Sequence, residues 1–378
     1  MKLAQKIGPI ILLLLLLLVP TVAVFSAQEY PEFTNGESAV TVVSSDQGYP
    51  EFINGERVIF VQNSENTFSV DSNRVILTIL DDSNSIEESM AKFSDYLANY
   101  QLPEGWSITV IGGPGASAEK CLQAHNSFND AVKRNGGPFK LGPVPLQASR
   151  GRTYAIDAPN DPSSETITYI SAEWIAPQVG NNQNRYSALL VNGWTDQTCT
   201  DPYGNLWSGY FLQSGQLYTG GLGQHVWADT TTGFVAQPFG VPYVQGHNCQ
   251  YFIAKFKSGW TMGFRNNSTG GYSYHIEPDA AGTKLVKSTD TSVFFENWNT
   301  NSNWYLGFTN PISVSNAYTG IAYPASVHPW NSEYIVIKDT YGNTQSNGII
   351  FKIISGGLRN RGTANWNLQR ILIAQPIS

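Results

Sequence analysis

Charge is scarce in this chain. Asp, Glu, Lys and Arg make up 13% of its 378 residues, against about 25% in an average soluble protein. The 22 basic residues are outnumbered by 29 acidic ones, for a net charge of −7, and no basic run is interleaved with aromatics. That balance excludes a nucleic-acid surface. Cysteine is also sparse, with Cys121, Cys199 and Cys249 the complete set, so a disulfide-dense scaffold is excluded. In an exported protein an odd count points to one bridge and one leftover thiol, and Cys199 with Cys249 is the expected pair. C-x-x-C and H-E-x-x-H are absent and the five His residues are scattered. No metal site is readable from spacing, and neither metal nor cofactor is expected. There is no G-x-S-x-G, which leaves a Ser-His-Asp triad without an anchor. No cysteine sits in the setting of a nucleophile. Beyond the N-terminus no second long hydrophobic run occurs.

Asn, Gln, Ser, Thr, Tyr and Gly stand where charge is missing. A surface of that kind is solvated through hydrogen bonds, and few ion pairs exist to lose on acidification. An acidic exterior would favour it. At the N-terminus Lys2 and Lys6 precede a mostly apolar run from Ile7 to Val24, followed by Phe25-Ser26-Ala27. A basic start, a Leu-rich stretch and a small residue read as an export signal over 1–27, an uncleaved anchor being the alternative. The expectation is a secreted, extracellular protein, monomeric and free of the membrane once the signal is removed.

A short repeat follows, Tyr30–Glu37 and Tyr49–Glu56, each with an Asn-Gly pair suited to a tight turn. Each copy is read as a small hairpin or an extended linker within 28–66. Strand, helix, strand, helix is then predicted at Val75–Leu80, Ile86–Tyr100, Trp106–Ile111 and Ala116–Arg134, from apolar runs and capping residues. This makes an α/β unit over 67–150, and 151–164 reads as a linker. From 165 to 378 short strand-like runs alternate with Gly, Pro and Asn turns: Thr166–Ile175, Tyr186–Asn192, Trp207–Gln213, Cys249–Phe256, Trp260–Asn266, Gly271–His275, Ser292–Trp298, Ser332–Lys338 and Gly348–Ile354. The fold class expected is mainly β, a jelly-roll or concanavalin-like β-sandwich preceded by the small α/β unit.

Two strands each present one polar group at an apolar setting. Trp207–Gly215 delivers Gln213 just before Ser214-Gly215, and Ser292–Trp298 carries Glu296 among aromatics. Alone, each reads equally as an ordinary strand residue. Phe211-Leu-Gln213-Ser-Gly215 resembles the strand of the eqolisin (glutamic peptidase) family that bears its catalytic glutamine, and Val293–Trp298 resembles the strand ending in its glutamate. Pro238–Phe252, Trp260–Gly270 and Thr168–Pro177 resemble further stretches of that family in the same order. Its Trp-x-Gly-x-x-Gly run is not matched, Leu189–Trp194 standing in that place, and neither the α/β unit nor the residues after Ser313 align.

The resemblance implies an acid endopeptidase made with a prodomain, the α/β unit, and acting on polypeptide substrates. Gln213 and Glu296 would be catalytic, and Trp174, Trp194 and Trp298 would line the substrate groove. A desolvated glutamate can take a proton from an attacking water and return it to the leaving amine. A glutamine amide can hydrogen-bond the developing oxyanion. Two other classes fit the composition. One is a jelly-roll carbohydrate-binding or adhesion protein, for which the Trp, Tyr and Asn content is suited. The other is a glycoside hydrolase pairing Glu296 with Asp229 or Glu173. Asn266-Asn-Ser-Thr269 holds overlapping N-glycosylation sequons in an expected hairpin.

Overall fold

A computed structural model describes residues 50, 52–63, 74–141, 154–157, 167–180, 186–285, 292–297, 312–321, 326–329, 337–339, 350–355 and 370–374. All of them belong to one compact unit, Val40–Ser378. The expected export signal, the first repeat copy and Trp298 lie outside the described residues.

In chain order the first elements are β1 (Phe52–Ile53), β2 (Glu56–Asn63), β3 (Val75–Asp81), α1 (Ile86–Asn99), β4 (Trp106–Gly112), α2 (Ala118–Asn135) and β5 (Tyr154–Asp157). Then come β6 (Tyr169–Ile175), β7 (Tyr186–Trp194), β8 (Cys199–Thr200), β9 (Leu206–Trp207), β10 (Phe211–Thr219), β11 (Leu222–Asp229) and β12 (Gln237–Pro238). The last are β13 (Asn248–Phe256), β14 (Gly259–Asn266), β15 (Tyr272–Glu277), β16 (Ser292–Asn297), β17 (Ile312–Ile321), β18 (Ser326–Pro329), β19 (Ile337–Asp339), β20 (Ile350–Ser355) and β21 (Arg370–Ala374). The fold is mainly β, as the alternation predicts.

The second repeat copy is a hairpin. Ile53 pairs with Glu56 across Asn54-Gly55, whose φ angles of 53° and 80° are those a two-residue type I′ turn demands. Helix α1 begins at Ser85, whose hydroxyl accepts from Glu88 N at 3.2 Å while the Glu88 carboxylate accepts from Asn84 N at 3.1 Å, so one first-turn amide and the amide just ahead of the cap are satisfied locally. Helix α2 begins at Ser117, whose hydroxyl accepts from Lys120 N at 3.2 Å, and ends at Gly136, whose φ of 76° closes it as a left-handed cap.

Two sheets pack face to face. The first has 12 strands in the order β1-β2-β3-β4-β15-β14-β13-β6-β17-β21-β20, with β18 beside β17; the second runs β12-β11-β10-β7-β16-β5-β19. All their strand pairs are antiparallel except β3 with β4, which are joined through α1 as a parallel crossover must be. Between the sheets lie Trp174, Tyr251, Trp260 and Met262 from the first and Leu189, Val191, Leu212 and Trp227 from the second, all fully buried. Removing each from water contributes on the order of 2–3 kcal/mol.

The predicted α/β unit is built into this sandwich. Strand β4 is hydrogen-bonded to β15 from Ile108 to Gly112, so β2, β3 and β4 extend the first sheet. Helix α1 covers that sheet's outer face with Ile86, Met90, Phe93 and Leu97. Helix α2 covers the outer face of the second sheet, setting Phe128, Ala131 and Val132 over Ala188, Leu190, Leu217 and Ala228. The stretch read as a linker over 151–164 contains β5, which pairs with β16 and β19.

The expected Cys199–Cys249 bridge does not form, and all three cysteines are free thiols. Cys249 is packed between the sheets, while Cys199 donates to Gly209 O at 3.1 Å in the β8–β9 ribbon. The two belong to separate elements whose side chains are engaged elsewhere.

Candidate functional site

Gln213 lies near the start of β10, paired with Asn192 of β7 on one side and Ala228 of β11 on the other. Side chains alternate across a strand. Leu212 and Ser214 therefore face the first sheet, Ser214 donating to Gly263 O at 2.7 Å. Gln213 faces outward with Phe211. It is fully buried, Nε2 donating to Asn192 Oδ1 at 2.9 Å, and its carbonyl oxygen has no hydrogen-bond partner among the described residues. Two residues on, a side chain at Gly215 would set its Cβ 2.0 Å from Leu189 O. The glycine after Gln213 is thus required by the close approach of β7.

An aromatic wall stands beside this glutamine. Trp194 packs on Phe211 at 4.6 Å and on Trp207 at 5.9 Å between ring centroids, and Phe234 meets Trp207 edge-on at 5.1 Å. Trp207 is fixed by Asp201, which accepts from its Nε1 at 3.0 Å. Burial pushes the Asp201 carboxyl up, but donors from Asn205 and Trp207 outweigh it and hold the group below its usual range. Phe234 has φ of 64°, a costly conformation for a bulky residue. It is held there by hydrogen bonds with Asp229 O and Leu141 N at 2.9 and 2.8 Å. Cys199 is paired with Trp207 across the β8–β9 ribbon, its thiol pushed up to about 11 by burial.

The other expected residues fall as follows. Trp194 is half-buried on the Gln213 face. Trp174 is a correction: it lies fully buried between the sheets, stacked on Tyr251 at 4.4 Å, and packs the core instead of lining a groove. Glu296 is on β16, which flanks β7 opposite β10. There the backbone ladder pairs Ser292 with Asn192 and Glu296 with Ala188. Ser292 is therefore level with Gln213, and Glu296 lies four residues further along, about 13 Å at roughly 3.3 Å per residue.

The carboxylates considered as partners for Glu296 are not brought to it. Glu173 is on β6 in the first sheet, where it accepts from Asn316 Nδ2 at 2.9 Å and Asn248 Nδ2 at 3.4 Å. Asp229 pairs with Leu212 and so faces between the sheets, on the reverse side of the strand pair from Gln213.

A cleft of about 420 Å³, absent from the sequence reading, opens at the far end of the β10–β11 hairpin. Its polar lining is uncharged: Gln123 and Ser127 of α2, Gln178, Gln224 and Gln245, with Tyr243 as its aromatic wall. Gln224 Nε2 donates to Ser127 Oγ at 2.9 Å and Tyr243 donates to Pro177 O at 2.5 Å.

No protein-family model matches the chain, and no curated protein does. Among solved structures it is similar to "Crystal structure of Scytalido-glutamic peptidase with a peptide based transition state analog", at 13% identity and a TM-score of 0.35, over 60% of this chain and 98% of that one. A second is "Crystal structure of Bacteriophage CBA120 tailspike protein 2 enzymatically active domain", at 14% identity and a TM-score of 0.19, over 53% of this chain and 34% of that one. At these TM-scores neither likeness bears on chemistry. Among the described residues no helix is long and apolar enough to cross a membrane.

Proposed function

We propose that the chain is an exported hydrolase of peptide bonds acting at acidic pH, with Gln213, on the outer side of the second sheet, as a reacting group that a substrate reaches only when the layer over it opens. The observation that carries this is Gln213 itself. It is an amide buried beside a strained aromatic wall, its carbonyl oxygen unpartnered among the described residues and one N–H left over from the bond to Asn192. A carbonyl oxygen of that kind orients a water, and the remaining N–H can stabilise a developing oxyanion, an effect worth about 3 kcal/mol where such a donor is removed. Glu296 is the proton-transfer group in this reading. In the present register the Glu296 backbone stands four residues from the level of Asn192, so the dyad requires that end of β16 to approach it. Digestion of an unfolded protein between pH 2 and 7 tests this, with wild type beside Gln213→Ala and Glu296→Gln. Acid-only cleavage lost in both variants supports the dyad. Loss in Gln213→Ala alone would retain the face and discard Glu296. Activity surviving both would discard the site.

A second reading rests on the amide-lined cleft. Uncharged donors and acceptors beside a tyrosine ring suit a neutral polyhydroxylated ligand, as in a carbohydrate-binding or adhesion protein. Glycan-array binding abolished by Gln224→Ala, in a protein that cleaves no substrate at any pH, would put this reading first.

A further inference from the structure

Three ionisable side chains from separate segments meet between the sheets, behind the strand pair that bears Gln213. Asp229 ends β11, while His275 and Glu277 stand two apart on β15. Each is fully buried, and one ligand atom from each lies within 4.8 Å of the other two. Two of those groups are left open: Asp229 Oδ2 and His275 Nε2 have no hydrogen-bond partner among the described residues. Buried polar atoms are seldom left so, and an orphaned pair facing one point indicates a species that joins them.

The surroundings hold all three side chains in place. His275 Nδ1 is hydrogen-bonded to Thr109 Oγ1 at 3.0 Å, and its ring stacks on Trp227 at 3.5 Å, which leaves Nε2 as the open nitrogen. Asp229 Oδ1 accepts from Thr231 Oγ1 at 2.6 Å and Thr232 N at 2.8 Å, which leaves Oδ2. Glu277 Oε2 accepts from Arg74, and more distantly from Thr231 Oγ1 at 3.4 Å; Oε1 accepts from Asp279 N at 3.3 Å. His275 Nε2 lies 3.5 Å from Glu277 Oε2. Outer contacts that fix the open atom of each ligand are the usual support of a metal centre.

Charge points the same way. Arg74 is bonded to Glu277, and among the described residues no cationic side chain is bonded to Asp229. The second acidic group, Glu56, Asp81 and Asp82, differs in this respect because Lys92 is already bonded to Glu56 and Asp81.

We propose that Asp229, His275 and Glu277 form a buried site for a divalent cation of the zinc type, tying the end of β11 to β15. One imidazole and two carboxylates are a ligand set that such ions accept, with metal–ligand distances of about 2.0–2.2 Å. Sequence spacing could not show it, because the aspartate and the His-x-Glu pair are far apart in the chain.

The test uses the full chain, stripped with a chelator at neutral pH and dialysed against ZnCl2 or CoCl2. Elemental analysis should then find about one ion per chain, and Co2+ should give the visible absorption of nitrogen and oxygen ligation. Asp229→Asn and His275→Gln should each lose the ion and the absorption, while Asp82→Asn keeps both. Should a site variant fail to fold, the Co2+ spectrum of the wild type decides by itself. Wild type that retains no stoichiometric ion, or variants that retain it unchanged, would overturn the proposal; a single proton shared between Asp229 and His275 would then be the species that joins them.

Discussion

Arg74 donates to Glu277 across 203 residues of sequence, an ion pair buried on both sides. It joins the residue just before β3 to the last residue of β15, and so the α/β unit to the sandwich. Removing one member of such a pair strands the other charge in a place water does not reach. Arg74→Met should therefore cost about 3–5 kcal/mol in chemical denaturation. Glu277→Gln should cost less, because the amide still accepts from the guanidinium. Equal and negligible losses would mean that the pair is solvated in solution.

Acidification should weaken the fold through its histidines. Burial pushes the imidazole of His125 down to about 4, and burial followed by His247 pushes that of His225 down to about 3. Both are neutral when folded and titrate near 6.5 when unfolded. Between those values the unfolded chain binds the extra proton, so stability is full above about pH 6.5 and falls as pH drops toward 4 and then 3. For His125 alone the span corresponds to about 3 kcal/mol. His125 stacks on Phe60 at 4.1 Å and its Nε2 has no partner among the described residues, so His125→Phe should flatten the pH dependence of the melting temperature. An unchanged slope would remove this histidine from the account.

The thiols should be inert in the native state. Burial pushes Cys121 and Cys249 up to about 12 and Cys199 up to about 11, and the thiolate is the reactive form. A thiol-specific reagent at pH 8 should titrate none of the three until denaturant is added, then all three. Two of them missing after denaturation would restore the bridge that the structure excludes.

Both helices and the central strands β3, β4, β6, β7 and β13 to β16 are legible from pattern alone, because apolar runs bounded by Ser caps and Gly turns leave few alternatives. Strands β2, β5, β17, β18 and β21 are not, and neither is β11. Gly223, Gln224, His225 and Asp229 break its apolar run, yet every residue from Gly223 onward is buried, since both faces of the second sheet are covered. No alternation survives in such a strand. Trp174 was misjudged for a related reason: composition counts tryptophans but does not say which layer each enters. Gln213 was legible through its strand, whereas the level of Glu296 depends on register, which a single strand does not encode. Sparse carboxylates favour acid tolerance, but buried histidines act against it, and their burial is not visible in composition. The Asp229–His275–Glu277 cluster is a product of topology.

The overlapping sequons are resolved by the β14–β15 hairpin. Asn266 is buried, its Nδ2 bonded to His247 Nδ1 at 2.8 Å and its Oδ1 accepting from Ser268 N at 3.0 Å. Asn267 is exposed at the turn. Expression in a glycosylating host should modify Asn267, and Asn267→Gln should abolish the mass increment without loss of stability. Asn266→Gln should leave the glycan in place and cost about 1–3 kcal/mol, the penalty of leaving buried polar partners unmatched. Glycan found on Asn266 by peptide mapping would contradict the buried turn.

The α/β unit should stay attached after the chain is cut. A protease site placed between Asp157 and Ile167 severs the covalent link, but the β4–β15 ladder, the Arg74–Glu277 pair and the layers under α1 and α2 all remain. Detaching the unit would uncover Leu190, Leu217 and Ala228 on one sheet and Tyr272, Tyr274 and Ile276 on the other. It would also leave Glu277 without its cation. The two fragments should co-elute on gel filtration under native conditions and part only in denaturant. Phe93→Ala, which empties the layer under α1, should lower the denaturant midpoint at which they part, by about 3–5 kcal/mol of stability. Fragments that separate on cutting, with the larger one still folded and newly active at acid pH, would establish the unit as a releasable prodomain and show that the sheet closes without it.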